Sequence, residues 1–296
     1  MKVVKPTTYT SAMLVSTTAV ESVTAWSSTV TYIVGDKTRT GGRIYQSLVA
    51  SNLNFPPLTN PTRWSDIGPD NTNAAFDGQV STSSTGSTSL AFVINTGIID
   101  ALAVVNVAAT TVRLRVTDGS GGAVIFDETA GMDGSTVSDW YQYFFFDPLL
   151  VRTQIVFDNI PPFASSQATI TITGGGAVSV GHIAFGRTAD LGNTSYGATA
   201  GITDYSTKTT DAFGVTTFVR RAFSKRMTAR VMLDNLQLNR VQRLLYDLRA
   251  TPCIWIGADD GQYDEPLTVF GYYRDFSTDI TYPTASYCSL DIEGLA

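Results

Sequence analysis

The chain has 296 residues, 43% of them hydrophobic and 16% charged, against a usual charged share of roughly 25%. Its 26 Asp plus Glu outnumber 20 Lys plus Arg, for a net charge of −6; that balance excludes a general nucleic-acid binder, which carries a basic excess. With two cysteines, Cys253 and Cys288, it is no disulfide-built secreted scaffold, and no apolar run approaches the ~18 residues of a membrane helix, so no membrane insertion is expected.

Residues 1–22 are Thr- and Ser-rich and weakly periodic, and read as an extended arm or edge strand. They lack the continuous apolar core of a signal peptide. The chain is therefore expected to be soluble and to fold in a reducing cytoplasm, with Cys253 and Cys288 as buried thiols or, alternatively, as a disulfide. Residues 23–70 are densely punctuated by Gly35-Asp36, Gly41-Gly42, Pro56-Pro57, Pro61 and Gly68-Pro69, which leaves room for three short strands. Trp26, Tyr32, Tyr45 and Trp64 flank these turns, either as a small core or as a surface on which sugar rings stack.

After "GPDNTN" the pattern becomes a regular beat of short strands and turns through residues 71–190. In "TTVRLRVTD", Val112, Leu114 and Val116 alternate with Arg113 and Arg115; in "ATITIT", Ile170 and Ile172 alternate with Thr. The aromatic run "DWYQYFFFDPL" stops at Pro148 and is read with the strands. This beat predicts a two-sheet antiparallel β-sandwich. Residues 191–296 open with a Gly-, Thr- and Asp-rich link, expected to be irregular. Strands in "VTTFVRRAF" and "RMTARVMLD" follow. Leu238, Val241, Leu244, Leu245 and Leu248 then recur at helical spacing, with Asp234 or Asn235 as cap and Thr251-Pro252 as stop. Three more strands predict a β-barrel or sheet covered by one α-helix. The fold class is mainly β.

Catalytic signals are poor. The single histidine, His182 in "SVGHIAFG", lies inside an apolar strand pattern and reads as structural. "TGGGAV" lacks the Lys-Ser/Thr of a phosphate-binding loop. "GADDGQYDE" crowds Asp259, Asp260, Asp264 and Glu265 without the spacing of a calcium loop, and reads as a solvated hairpin tip. At Asp77-Gly78 a carboxylate could help hold a cation at the start of the sandwich. No enzyme, no cofactor and no metal cluster is expected. The basic run Arg220, Arg221, Lys225, Arg226 and Arg230 reads as a solvated strand face rather than a binding patch.

Trp26, Tyr32 with Gly35-Asp36, the Gly pair before Tyr45, Asn52, Pro56 and Trp64 before Ile67-Gly68 resemble the small carbohydrate-binding modules attached to chitinases and found in phage tail proteins. The resemblance implies an exposed aromatic pair after the Tyr45 strand; here that stretch reads "YQSLVASNLN", with no Trp. From "AAFDGQVSTS" to "SVGHIAFGRTADLG" the chain resembles a galactose-binding-like jelly roll. The segments "GITDYSTKTTDAFGVTTFVRRAFSKRMTARVML", "RATPCIWIGADD" and "LTVFGYYRDFSTDITYPTASYCSLDIEGL" resemble the terminal domain of minor tail or tail-tip proteins of long-tailed phages, similar to tail-tube and distal-tail units. Together these resemblances imply a virion structural protein of the tail tip or baseplate, assembled in the bacterial cytoplasm. Its partners would be copies of itself in a ring of three or six, other tail-tip and tail-tube proteins, and a host surface glycan. Leu238, Val241, Leu245, Leu248, Arg220 and Arg221 are the expected assembly residues. The alternative is a host-glycan-binding adhesin, with Trp26, Tyr32, Tyr45 and Trp64 as its sugar site.

Overall fold

A computed structural model describes residues 1–134, 140–145, 151–258, 265–280 and 282–295. The chain is mainly β, as its composition predicts, and every strand pairing described below is antiparallel. It divides into two compact units, residues 8–183 and residues 1–7 with 184–296.

In the unit of residues 8–183, a five-stranded sheet runs in the order Val124–Gly131, Thr111–Asp118, Ser166–Thr173, Ser89–Asn95, Leu14–Thr17, with buried and less buried residues alternating along its three central strands. Leu90, Phe92, Ile94, Val112, Leu114, Val116, Ala168, Ile170 and Ile172 all point to its buried face. Each large side chain so buried contributes roughly 1.5–3 kcal/mol. Strands Gln154–Phe157, Ala101–Ala108 and the first residues of Val178–Asp190 form the second layer, joined by Ser84–Gly86. Ala101 to Val105 are buried without alternation, as expected for a strand covered on both faces. Phe126 of one layer meets Phe157 of the other edge-on at 6.3 Å.

Of the arm or edge strand expected in residues 1–22, the structure shows strands, one in each unit. Leu14–Thr17 is the edge strand of the sandwich sheet, with Leu14 opposite Ile94 and Thr17 opposite Phe92. Lys2–Pro6 belongs to the other unit, where it lies between residues 186–190 and Cys253–Ile256. Buried Val3 and Val4 hold it there, too few apolar positions to show a period in the sequence. The aromatic run is also different from expectation: Trp140–Phe145 is a short helix, because strand propensity is easily overridden by context. The stop at Pro148 lies outside the described residues.

In the unit of residues 1–7 and 184–296, the sheet runs through Lys2–Pro6, Cys253–Ile256, Thr268–Asp279, Ala285–Gly294 and Phe223–Asp234. Met227, Ala229, Val231 and Leu233 are buried and alternate with exposed Arg226, Thr228, Arg230 and Met232. The helix Asn235–Asp247 starts where this strand ends. Asp234 caps it, its Oδ1 accepting the Leu236 N–H at 2.9 Å. Asn235 ties the same corner to the carbonyls of Tyr282 and Pro283, both at 2.9 Å. Val241, Leu245 and Leu248 then pack with Trp255, Val269, Leu290 and Ile292. Gly271 permits the neighbouring strand to come close: a Cβ there would sit 2.0 Å from the Glu293 carbonyl oxygen.

The two thiols are free and buried. Cys253 lies opposite Gly271, which lies opposite Gly294, whereas Cys288 is six positions back along that last strand. At ~3.3 Å per residue this separates them by roughly 20 Å, beyond the ~7 Å Cα reach of a disulfide. Burial pushes the Cys253 thiol up to about 12 and raises Cys288 as well, so neither is a reactive thiolate at neutral pH.

The link predicted to be irregular is instead stranded. Asn193–Thr194 and Thr199–Asp204 pair with Phe223–Asp234, and Thr207–Thr210 pairs with Thr216–Val219. These strands bury so little that they carry no hydrophobic alternation, and backbone pairing alone defines them.

Candidate functional site

The small module is built from Lys37–Thr40, Arg43–Ser47 and Trp64–Pro69, with Thr31–Tyr32 paired to Asn52–Leu53. Tyr32, Tyr45 and Trp64 form its buried cluster, with Trp26 packed against them. Tyr32 and Trp64 meet edge-on at 5.1 Å. Trp64 Nε1 donates to the Phe55 carbonyl at 2.8 Å, and the Tyr32 hydroxyl accepts the Ser27 N–H at 2.9 Å. Of the four residues expected as a sugar site, Tyr32, Tyr45 and Trp64 are thus interior packing and Trp26 lies partly buried against them. What it exposes is aliphatic: Ile33, Val34, Leu48, Leu53 and Leu58. Such side chains lack the flat ring face on which a sugar stacks.

The leucine stripe is likewise consumed within its own unit. Val241, Leu245 and Leu248 are buried and Leu238 packs beside them, so none presents a surface to another chain. The expectation that they assemble subunits is corrected by the sheet they cover. Arg220 and Arg221 are exposed, and they stand at the base of a feature that spacing alone did not reveal.

That feature is a projecting hairpin. The pairing of Thr199–Asp204 with residues 223–228 continues outward through the Tyr205 N–H to Ala222 carbonyl bond into Thr207–Thr210 and Thr216–Val219. From Lys208 to Phe223 every residue is exposed. The turn is nevertheless specified. Asp211 Oδ1 accepts the N–H groups of Phe213 at 2.9 Å and Val215 at 2.8 Å, and Gly214 takes φ +82, a region glycine occupies without strain. This turn holds Phe213 at the tip, 92% exposed; Phe218, 72% exposed, lies behind it with the Lys208 ammonium 5.8 Å from its ring. Val215 and Val219 extend the apolar surface. An isolated two-stranded hairpin is marginal in water, and one displaying two phenylalanines gains most by being covered. The sequence signal was present in "DAFGVTTFVRR", an Asp-x-x-Gly turn between Thr-rich runs, but its low apolar periodicity read as a link.

His182 is nearly buried on the strand Val178–Asp190. Burial lowers it to about 4, against smaller opposing effects of Asp77 and a hydrogen bond to the Ala75 backbone. A folded value below the ordinary 6.5 means that stability is full above pH 6.5. It falls as pH drops toward 4, where the unfolded chain binds a proton the folded chain resists. The cost at pH 4 is about 3 kcal/mol. Urea unfolding at pH 7 and pH 4 measures it: the loss of stability between the two should be smaller by this amount in His182→Gln, and equal losses in both proteins would refute the assignment. Among the described residues no group of three or more His, Cys, Asp or Glu side chains could hold a metal ion, and no helix is long and apolar enough to cross a membrane. The acidic tip of Asp259, Asp260 and Asp264 lies outside the described residues.

No protein family matches the chain, and no curated protein matches it. Among solved structures, the chain is similar to an F5/8 type C domain from Bacteroides fragilis at 10% identity and a TM-score of 0.27, over 38% of this chain and 78% of that one.

Proposed function

We propose that this chain is a non-catalytic structural subunit that joins copies of itself into a closed ring through the hairpin arm of residues 205–223. The observation that carries the reading is the arm itself: an ordered hairpin with a specified turn that leaves Phe213, Val215, Phe218 and Val219 in water. Exposed apolar surface on a defined element marks an interaction site. A contact between an arm and a different surface of the next copy is heterologous, and identical heterologous contacts either close into a ring or run on as a filament. The low charge of the chain fits a surface largely occupied by protein. With the sequence resemblance to tail-tip proteins of long-tailed phages, we place the ring in the virion at the tail tip or baseplate, beside other tail proteins and assembled in the bacterial cytoplasm. The adhesin reading is less favoured, because the ring faces it needs are buried in the small module.

Light scattering and electron microscopy of the isolated protein test the proposal. The expected result is a closed particle of defined mass. Replacing residues 207–219 with a short Gly-Ser turn should give folded monomers with unchanged sheet signal. A wild-type protein that stays monomeric up to its solubility limit would overturn the reading.

A further inference from the structure

The arm leaves its sheet through an irregular joint. The last pair of the inner ribbon is Asp204 opposite Phe223, and the next pair outward is Thr207 opposite Val219. Tyr205 and Ser206 on one strand therefore face Arg220, Arg221 and Ala222 on the other. An extra residue on one strand is a β-bulge, which bends and twists a ribbon and re-aims whatever lies beyond it. The direction of the arm is decided at this joint. The Tyr205 N–H donates to the Ala222 carbonyl at 3.2 Å, Ser206 Oγ accepts the Arg221 N–H at 3.0 Å, and Asp204 Oδ1 accepts the Ser206 N–H at 2.8 Å.

The Tyr205 side chain ties this joint to the sheet. Its hydroxyl lies 3.2 Å from Oγ of Ser224, which is fully buried, and donates to Glu293 Oε1 at 3.4 Å. With its single proton directed to Glu293, the Tyr205 oxygen accepts from Ser224. The Tyr272 hydroxyl donates to the other oxygen of the same carboxylate, Oε2, at 3.4 Å. Glu293 stands opposite Tyr272 on one neighbouring strand and Arg226 on the other. Arg226 extends away from it, over Gly201, where a Cβ would sit 3.2 Å from the Arg226 Nε. Resting on the assembly reading, we infer that Tyr205 is the positioning residue of the arm. Its hydroxyl, held between Ser224 and Glu293, locks the bulged joint as a fixed elbow and presents Phe213 and Phe218 at one set angle. A ring closes only if every contact is made at the same angle, and an arm ordered beforehand avoids the entropic cost of being ordered on docking. The hydroxyl contacts are long for O–H···O bonds. They therefore act on the angle of the arm rather than on the stability of the sheet.

Spin labels on two introduced cysteines read the angle as a distance distribution. Thr216→Cys lies in the arm and Leu236→Cys in the first turn of the helix, both at exposed positions. The native Cys253 and Cys288 are buried and do not compete for label. Labelled chains are diluted into unlabelled ones, so that only distances within one chain are measured. The labelled protein with Tyr205 intact should give one narrow distribution. Tyr205→Phe keeps the ring and drops the hydroxyl. It should broaden the distribution and lower the association constant roughly three- to tenfold, with the melting temperature unmoved. Glu293→Gln removes one of the two acceptor oxygens and should broaden the distribution less, which keeps the inference testable if Tyr205→Phe folds poorly. A broad distribution with Tyr205 intact, or one that neither substitution changes, would overturn the fixed elbow and leave the arm's part in assembly standing. A narrow, Tyr205-dependent distribution in a protein that never associates would uphold the elbow and sink the assembly reading.

Discussion

Trp64→Ala is expected to unfold the module of residues 23–70 rather than to remove a binding surface. Trp64 is 3% exposed, packs edge-on against Tyr32, and satisfies the Phe55 carbonyl through its indole N–H. Large aromatic-to-Ala changes in a core cost about 3–5 kcal/mol, to which an orphaned carbonyl adds about 1 kcal/mol or more. The cluster holds only Tyr32, Tyr45 and Trp64 with Trp26 beside them, so nothing remains to compensate. Amide NMR resonances of this module should collapse in Trp64→Ala. The same spectra of Leu48→Ala, an exposed position, should be nearly unchanged, within about 0.5 kcal/mol of wild-type stability. A Trp64→Ala protein with an intact module and a lost sugar affinity would return the aromatics to a binding role.

Trp255→Ala is expected to have the largest effect in the other unit. Its ring is fully buried, lies opposite Val3 on one side and Val269 on the other, and meets Tyr273 edge-on at 6.1 Å. Its indole N–H donates to the Gly271 carbonyl at 2.9 Å. Tyr273 in turn donates its hydroxyl to the Leu245 carbonyl at 2.8 Å, so the same contact chain reaches the helix. Removing the ring costs about 3–5 kcal/mol for volume and about 1–3 kcal/mol for the orphaned carbonyl. The melting temperature of this unit should fall by roughly ten degrees or more. Leu236→Ala, on the outer face of the helix and 90% exposed, should leave it nearly unmoved. If the proposed assembly holds, it should be lost in Trp255→Ala because the arm is anchored on Phe223–Asp234 of this sheet, whereas Phe213→Asp should impair it with the melt unchanged. A Trp255→Ala unit that melts like wild type would contradict the packing described here.

The two large substitutions separate the two kinds of aromatic residue in this chain. Trp64 and Trp255 lie inside, and their removal is read as unfolding. Phe213 and Phe218 lie outside, on backbone positioned by a turn, and their removal is read as lost association. Composition cannot make that distinction, because it counts all four as aromatic residues whether they face inward or outward.

The mainly β class, the alternating strands of the sandwich and the Leu-striped helix, with its cap at Asp234 or Asn235, were legible in the amino-acid order, because burial on one face imposes a period of two or 3.6 that local reading detects. Three things were decided only in three dimensions. Residues 1–22 divide between two units, because short segments bury too few side chains to show a period. Tyr32, Tyr45 and Trp64 turn inward, because which face of a small module is core depends on what the other strands supply. The 191–219 segment forms strands and a projecting arm, because its pairing is made of backbone hydrogen bonds with little apolar burial, and a backbone bond leaves no mark on side-chain order.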